Sequence, residues 1–179
     1  PLLYWQGVLF KEPMGTIYYF TPFALDGNLG AAYNQYMQLL PSDDDWACFV
    51  DGDAMFLTPD FGKVIADVVE KNPETGMFTC YTNRVANKEQ LYRGMFSECT
   101  DMLHHRDIAF VCHTVGADKT EELTRPISGV LMLIQKRTWK EFPFKDGLLS
   151  VDNDISRRLM QAGRKVLLIR GIYLLHYYR

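Results

Sequence analysis

Trp46-Ala-Cys-Phe-Val-Asp-Gly-Asp53 is the stretch whose reading decides the fold. Trp46 to Val50 is an unbroken apolar run, too short for a helix. It reads as a strand buried on both faces. Asp51 and Asp53 follow at once, with Gly52 between them, and another apolar pair, Met55-Phe56, comes directly after. Open α/β sheets bind ligands at the carboxyl ends of their strands. An apolar strand that ends abruptly in acid therefore marks both a sheet and a place to look for chemistry.

The flanking sequence alternates strand and helix. Thr16 to Thr21 reads as a strand stopped by Pro22. Asn28 caps a helix that runs to about Leu40, ended by Pro41 and the acidic cluster Asp43-Asp44-Asp45, which reads as a solvated turn. Pro59 to Lys71 predicts a helix with Phe61, Val64, Ile65 and Val68 inward, and Gly76 to Tyr81 a third strand. Thr82 to Pro126 is the least regular part and holds His104, His105 and His113. Patterning resumes with a strand over Ser128–Ile134, a helix from Asp152 to about Ala162 closed by Gly163, and two short strands, 165–169 and 172–175. The alternation predicts an α/β/α sandwich around a mainly parallel central sheet.

The 179 residues suit one domain, and 47% hydrophobic with 23% charged residues excludes wholesale disorder. Nineteen basic residues against 22 acidic ones, a net charge of −3, argue against a nucleic-acid partner. No apolar run approaches the roughly 18 residues of a membrane span, so no transmembrane segment is expected. Pro1 to Phe10 lacks the basic start and small-residue cleavage site of a secretory signal. None of the four cysteines forms a CxxC pair, which disfavours a zinc knuckle. Cys48 and Cys80 read as small core hydrophobes in a reducing compartment, and a cytoplasmic location is the expectation. Pro1 is not an initiator methionine, which leaves room for a longer protein with an additional domain or subunit.

Asp-x-Asp occurs at 43–45, 51–53 and 152–154, so the spacing alone has little meaning. Context singles out Asp51 and Asp53: two carboxylates at a strand end suit a hard divalent cation, which commonly brings phosphate oxygens with it. Asp152 opens a helix. It serves either as an ordinary cap or as a general base aimed into the cleft, with Asp154 in support. His176 follows the apolar run Ile172 to Leu175 and is either a packing residue or a neutral imidazole ligand to the same cation.

Four segments together resemble a glycosyltransferase of the GT-A, Rossmann-like fold, closest to the family-2-like inverting enzymes. Asn28 to Asn34 resembles the helix behind the nucleotide site, and Cys48 to Asp53 the metal-binding DxD strand. Pro126 to Ile134, followed by Trp139, resembles the strand that backs the donor sugar. Val151 to Leu159, then Gly163 and His176, resembles the acidic acceptor-side motif and the metal-binding His, in their usual order. The resemblance runs from about Thr16 to Arg179. Three features depart from it: Val151 replaces an acidic residue, Tyr33 stands where relatives often carry Arg, and one strand–helix unit precedes the DxD strand.

The resemblance implies a single GT-A domain and a cofactor, Mn²⁺ or Mg²⁺, held by Asp53 and His176, with Asp51 on the metal or the ribose. It implies a nucleoside diphosphate sugar donor, by default a uridine one. Thr21, Pro22 and Asn34 would contact base and ribose, while Ser128 and Gly129 would lie near the donor sugar. Asp152 would deprotonate a carbohydrate or other hydroxyl acceptor, and one displacement would invert the anomeric carbon. Two alternatives stand beside it. One is a non-catalytic sugar- or nucleotide-binding relative. The other is a phosphohydrolase using a strand-terminal Asp pair, which Ala54 and Met55 fit poorly.

Overall fold

The computed structural model describes residues 15–147 and 149–177, so the reading of Pro1–Phe10 lies outside the described residues. These residues form an α/β structure with one open sheet of seven strands and five α-helices. β1 (Ile17–Phe20), α1 (Leu29–Gln38), β2 (Trp46–Val50) and β3 (Ala54–Phe56) come first. α2 (Phe61–Lys71), β4 (Met77–Thr82), α3 (Met102–Gly116) and β5 (Thr120–Glu122) follow. β6 (Leu131–Gln135), α4 (Lys136–Glu141), α5 (Val151–Gln161) and β7 (Val166–His176) complete the chain.

The sheet runs β1-β2-β6-β4-β7-β3, with β5 also on β7. It is mixed, which corrects the expectation of a mainly parallel sheet. β1 pairs parallel with β2 and β4 with β7, whereas β6 is antiparallel to both β2 and β4, and β3 and β5 are antiparallel to β7. The reason lies in the connection. The chain enters β6 at the end where β2 stops, Val50 opposite Leu131, so β6 has to run back against its neighbours. The two predicted terminal strands are one, β7. Its register with β4 jumps from Cys80↔Ile169 to Tyr81↔Tyr173, so Arg170–Ile172 bulge out of the ladder.

Side-chain alternation divides the core between the two faces of the sheet. Ala47, Phe49, Met132 and Ile134 pack with Tyr33 and Met37 of α1 and with Ile155 and Leu159 of α5. Trp46, Cys48, Leu131 and Leu133 pack on the other face with Val64, Ile65 and Val68 of α2, as the helix periodicity predicts. Each large aliphatic or Phe side chain among them contributes about 1.5–3 kcal/mol by leaving water. Cys48 and Cys80 are fully buried free thiols, in keeping with their reading as core hydrophobes.

The structure also departs from the sequence reading at α3 and at the acidic turn. The irregular region contains α3, capped by Asp101, whose Oδ1 accepts from Leu103 N at 2.9 Å. Its inward face is His105, Ala109, Cys112 and Gly116, while Leu103, Phe110 and Val115 face out. Small or polar residues inside and large apolar ones outside invert the pattern by which a helix is recognised. The acidic turn also divides. Asp43 and Asp44 are exposed, but Asp45 is only 5% exposed. Asp45 Oδ1 accepts from Thr16 N and Oδ2 from Ser42 N, both at 2.8 Å, so it joins the start of the first strand to the end of the α1 turn. Asp45→Ala leaves both donors without their acceptor. It should lower the unfolding free energy by about 2 kcal/mol, read in urea as a lower midpoint at unchanged m.

Candidate metal and acid–base site

Asp51 follows the last residue of β2 and donates its N–H to Val130 O at 3.2 Å, which ties it to the start of β6. The chain then turns sharply, Ala54 N donating to Asp51 O at 3.0 Å, and enters β3. Ala54 pairs with His176, and Tyr177 N donates to Asp53 O at 2.7 Å. The turn therefore delivers both carboxylates to the end of β7. His176 Nε2 lies 3.3 Å from Asp53 Oδ1 and 3.8 Å from Asp51 Oδ2. One ligand atom from each of the three residues falls within 4.8 Å of the others, so the group could hold a metal ion.

The imidazole is prepared for that role. His176 Nδ1 sits 3.0 Å from the carbonyl of Arg84. A carbonyl only accepts, so Nδ1 carries a proton, and Nε2 is the nitrogen that faces the carboxylates and would offer its lone pair to a cation. Two carboxylates and one neutral imidazole form a donor set that accepts a divalent cation. Burial pushes the Asp51 carboxyl up to about 6. The His176 imidazole pulls it down, and the charges of Asp53 and Asp152 push it further up.

Asp152 lies in the first turn of α5, close enough to act on Asp51 through its charge. Burial raises its pKa, and hydrogen bonds from the N–H groups of Asn153 and Gly129 offset part of that rise. A Cβ at Gly129 would stand 2.9 Å from Asp152 Cβ and 3.3 Å from its Oδ2, so only glycine lets this strand start lie against the carboxylate. Ser128 before it is fixed from below. Buried Gln90 accepts from Ser128 N at 2.7 Å and donates to Ser128 O at 3.0 Å and Thr79 Oγ1 at 2.8 Å. A cleft of about 300 Å³ opens here, with Asp51, His176, Ser128 and Gly129 among its walls and Arg84, Val85 and Phe96 across from them. A second hollow of about 500 Å³ lies against Gly52, Asp53, Met55 and Tyr177.

Thr21 stands beside this turn, its methyl 3.4 Å from where a Gly52 Cβ would sit, and half-buried Pro22 follows it. Asn34 has other partners. Its Oδ1 accepts from Trp139 Nε1 at 2.8 Å and Phe144 N at 3.1 Å, and its Nδ2 donates to Phe144 O at 2.9 Å. The side chain thus braces α1 against the segment before α5, and its amide is engaged in that role. Its neighbour Tyr33 is buried against Phe49 and Phe144, within electrostatic reach of the site. Burial, and then the charges of Asp51 and Asp152, raise its hydroxyl pKa and keep it a proton donor. Asp154 is held by Lys145 and Arg158 at 2.9 and 2.7 Å.

The other histidines have separate partners. Fully buried His105 bridges Tyr173 OH and Cys99 O, both at 2.7 Å, and His113 Nε2 lies 3.3 Å from Asp60. The sequence reading overlooked Asn83, Gln90 and Phe96. They lie in the irregular region, and only the polar run at 82–84 after an apolar strand hinted at them.

No family model, curated protein or solved structure matches this chain. Among the described residues no helix is long and apolar enough to cross a membrane.

A metal held here would compete with protons. Asp51 is largely protonated below about pH 6, and ligation requires the carboxylate. Affinity for Mn²⁺, measured by calorimetry, should fall roughly tenfold between pH 7.5 and pH 5. Without metal the sign reverses. The folded carboxyl holds its proton to higher pH than the unfolded one, so stability declines as pH rises from about 4 to 6. A melting temperature that moves down over this window without metal, and less so with it, checks the same carboxyl.

Proposed function

We propose that this protein is a metal-dependent glycosyltransferase of the GT-A type. It moves a sugar from a nucleoside diphosphate sugar, by default a uridine one, to an acceptor hydroxyl with inversion. The observation that carries the reading is the convergence of Asp51, Asp53 and His176, with Asp152 in electrostatic contact across Gly129. Helices on both faces of the sheet and a site at the carboxyl end of β2 support it further.

Asp51, Asp53 and His176 would hold the cofactor, Mn²⁺ or Mg²⁺. When bound, it supplies positive charge to the diphosphate as the bond to the sugar breaks. Asp152 acts on the other reactant. Its burial-raised pKa makes it a stronger base than a solvated carboxylate. It takes the proton of the acceptor hydroxyl as that oxygen bonds to the anomeric carbon and the diphosphate oxygen leaves with its electron pair. The Gly129 N–H fixes the carboxylate, and attack from the face opposite the leaving group inverts the centre. The cleft walls Ser128, Gly129 and Val130 suit a sugar, since Gly129 allows close approach. Thr21 and Pro22, beside the Gly52 turn, suit base and ribose contacts.

Calorimetry with nucleoside diphosphates tests the donor half. UDP should bind at least tenfold more tightly with Mn²⁺ than without. If no nucleoside diphosphate gains affinity from metal, the reading fails. Asp152→Asn tests the acceptor half. Transfer from a nucleotide sugar should drop by about 10²–10⁴ while donor affinity stays within about twofold. Equal loss of donor binding would make Asp152 a helix cap, and release of phosphate from simple phosphomonoesters would point to a hydrolase.

A further inference from the structure

The end of β7 is gripped in an unusual way. Its ladder with β4 stops at Thr82↔Leu174, two residues short of His176. The side chain of Asn83 takes over from there. Its Oδ1 accepts from His176 N at 2.8 Å, and its Nδ2 donates to His176 O at 3.3 Å. The amide is saturated by two more bonds, from Thr82 Oγ1 at 3.3 Å and to Ser97 O at 3.1 Å. Asn83 is 3% exposed, so these bonds form away from competing water. The next residue completes the grip, because the Arg84 carbonyl accepts a hydrogen bond from Nδ1 of the same histidine at 3.0 Å. The backbone at 83 is itself anchored, Ser97 N donating to Asn83 O at 2.8 Å.

We infer that Asn83 is a positioning residue for the metal ligand His176: its side chain fixes the histidine backbone, and its place in the chain fixes the Arg84 carbonyl that orients the ring. This rests on reading Asp51, Asp53 and His176 as a metal site. Asp51 and Asp53 belong to one turn and stay together whatever happens at β7. His176 arrives from the far end of the chain, and its place beside them depends on the hold that residues 83–84 keep on it. Loss of the Asn83 amide removes the two bonds it makes to the His176 backbone and loosens the ring. The two carboxylates then bind the cation without the nitrogen.

Mn²⁺ reports this directly, through its affinity and through the ¹⁴N modulation of its electron spin echo when an imidazole is bound. Wild type should show the modulation, and His176→Ala should abolish it. In Asn83→Ala, checked as folded by circular dichroism, the modulation should be lost or strongly reduced and Mn²⁺ should bind about ten- to hundredfold more weakly. Full modulation with affinity within twofold of wild type overturns the inference. Wild type that binds no Mn²⁺, or binds it without ¹⁴N modulation, overturns the metal reading itself. Wild-type protein gives a second reading that does not depend on the variant folding. The Asn83 side-chain amide resonances should be shifted from free-amide positions and should move again on titration with Mg²⁺. Free-amide positions that Mg²⁺ leaves unchanged overturn the inference as well.

Discussion

The three residues 51–53 that join β2 to β3 constrain everything around them. In a flat sheet with the order β1-β2-β6-β4-β7-β3, β2 and β3 would stand four spacings apart, about 19 Å. The link reaches about 14 Å at full stretch, and it is not stretched, because Ala54 N bonds back to Asp51 O. The sheet therefore cannot stay flat. The short contact between β4 and β6, registered at Phe78↔Leu133 alone, and the bulge at Arg170–Ile172 let it deform. The outer half of β7 comes over to β3, and His176 comes with it. Site and fold distortion are one event: the turn that carries the two carboxylates also draws in the imidazole.

That convergence is electrostatically costly. Asp51, Asp53 and Asp152 share one region, and both burial and mutual repulsion raise the Asp51 pKa. A fold gains nothing from gathering like charges unless something of opposite charge joins them. His176 answers part of the repulsion. Its Nδ1 is committed to the Arg84 carbonyl, so Nε2 is the nitrogen that faces the carboxylates. The polar side chains around the site, Gln90 under Ser128 and Asn83 on His176, are buried and fully engaged. They hold positions against that repulsion, where water would otherwise separate the groups.

Elements whose periodicity reflects burial in the ordinary sense were legible in the chain itself. β2 is apolar throughout because both its faces are covered, and α2 buries Val64, Ile65 and Val68 at helical spacing. α3 was not legible, because it packs against the bulge of β7 through small residues. A Cβ on Gly116 would meet the Arg170 backbone at 2.8 Å, and one on Gly171 would meet Ala117 at 2.4 Å. Such close packing excludes the large side chains by which a helix face is recognised. Asp45 was misread for a related reason. Its two neighbours are solvated, and nothing local distinguishes a carboxylate that will accept from a backbone 29 residues away.

Read alone, the chain specifies an α/β fold with helices over both faces of a sheet, an acidic strand end after Val50, and a set of candidate residues for a cation and a proton. Those properties follow from local spacing and from the polarity of each side chain. The direction of β6, the union of two predicted strands into β7, and the choice of which candidate residues meet came from long-range pairing. Asp53 and His176 are over a hundred positions apart, and strand pairing sets their distance of 3.3 Å. Asn34, equally prominent in the chain, went to a structural brace because Trp139 and Phe144 reached its amide. Asn83, overlooked in the chain, came to hold the histidine because the β4 ladder stops two residues short of it. Backbone groups left unpaired by the twist of a sheet take partners from whatever is nearest, and nearness is a property of the fold.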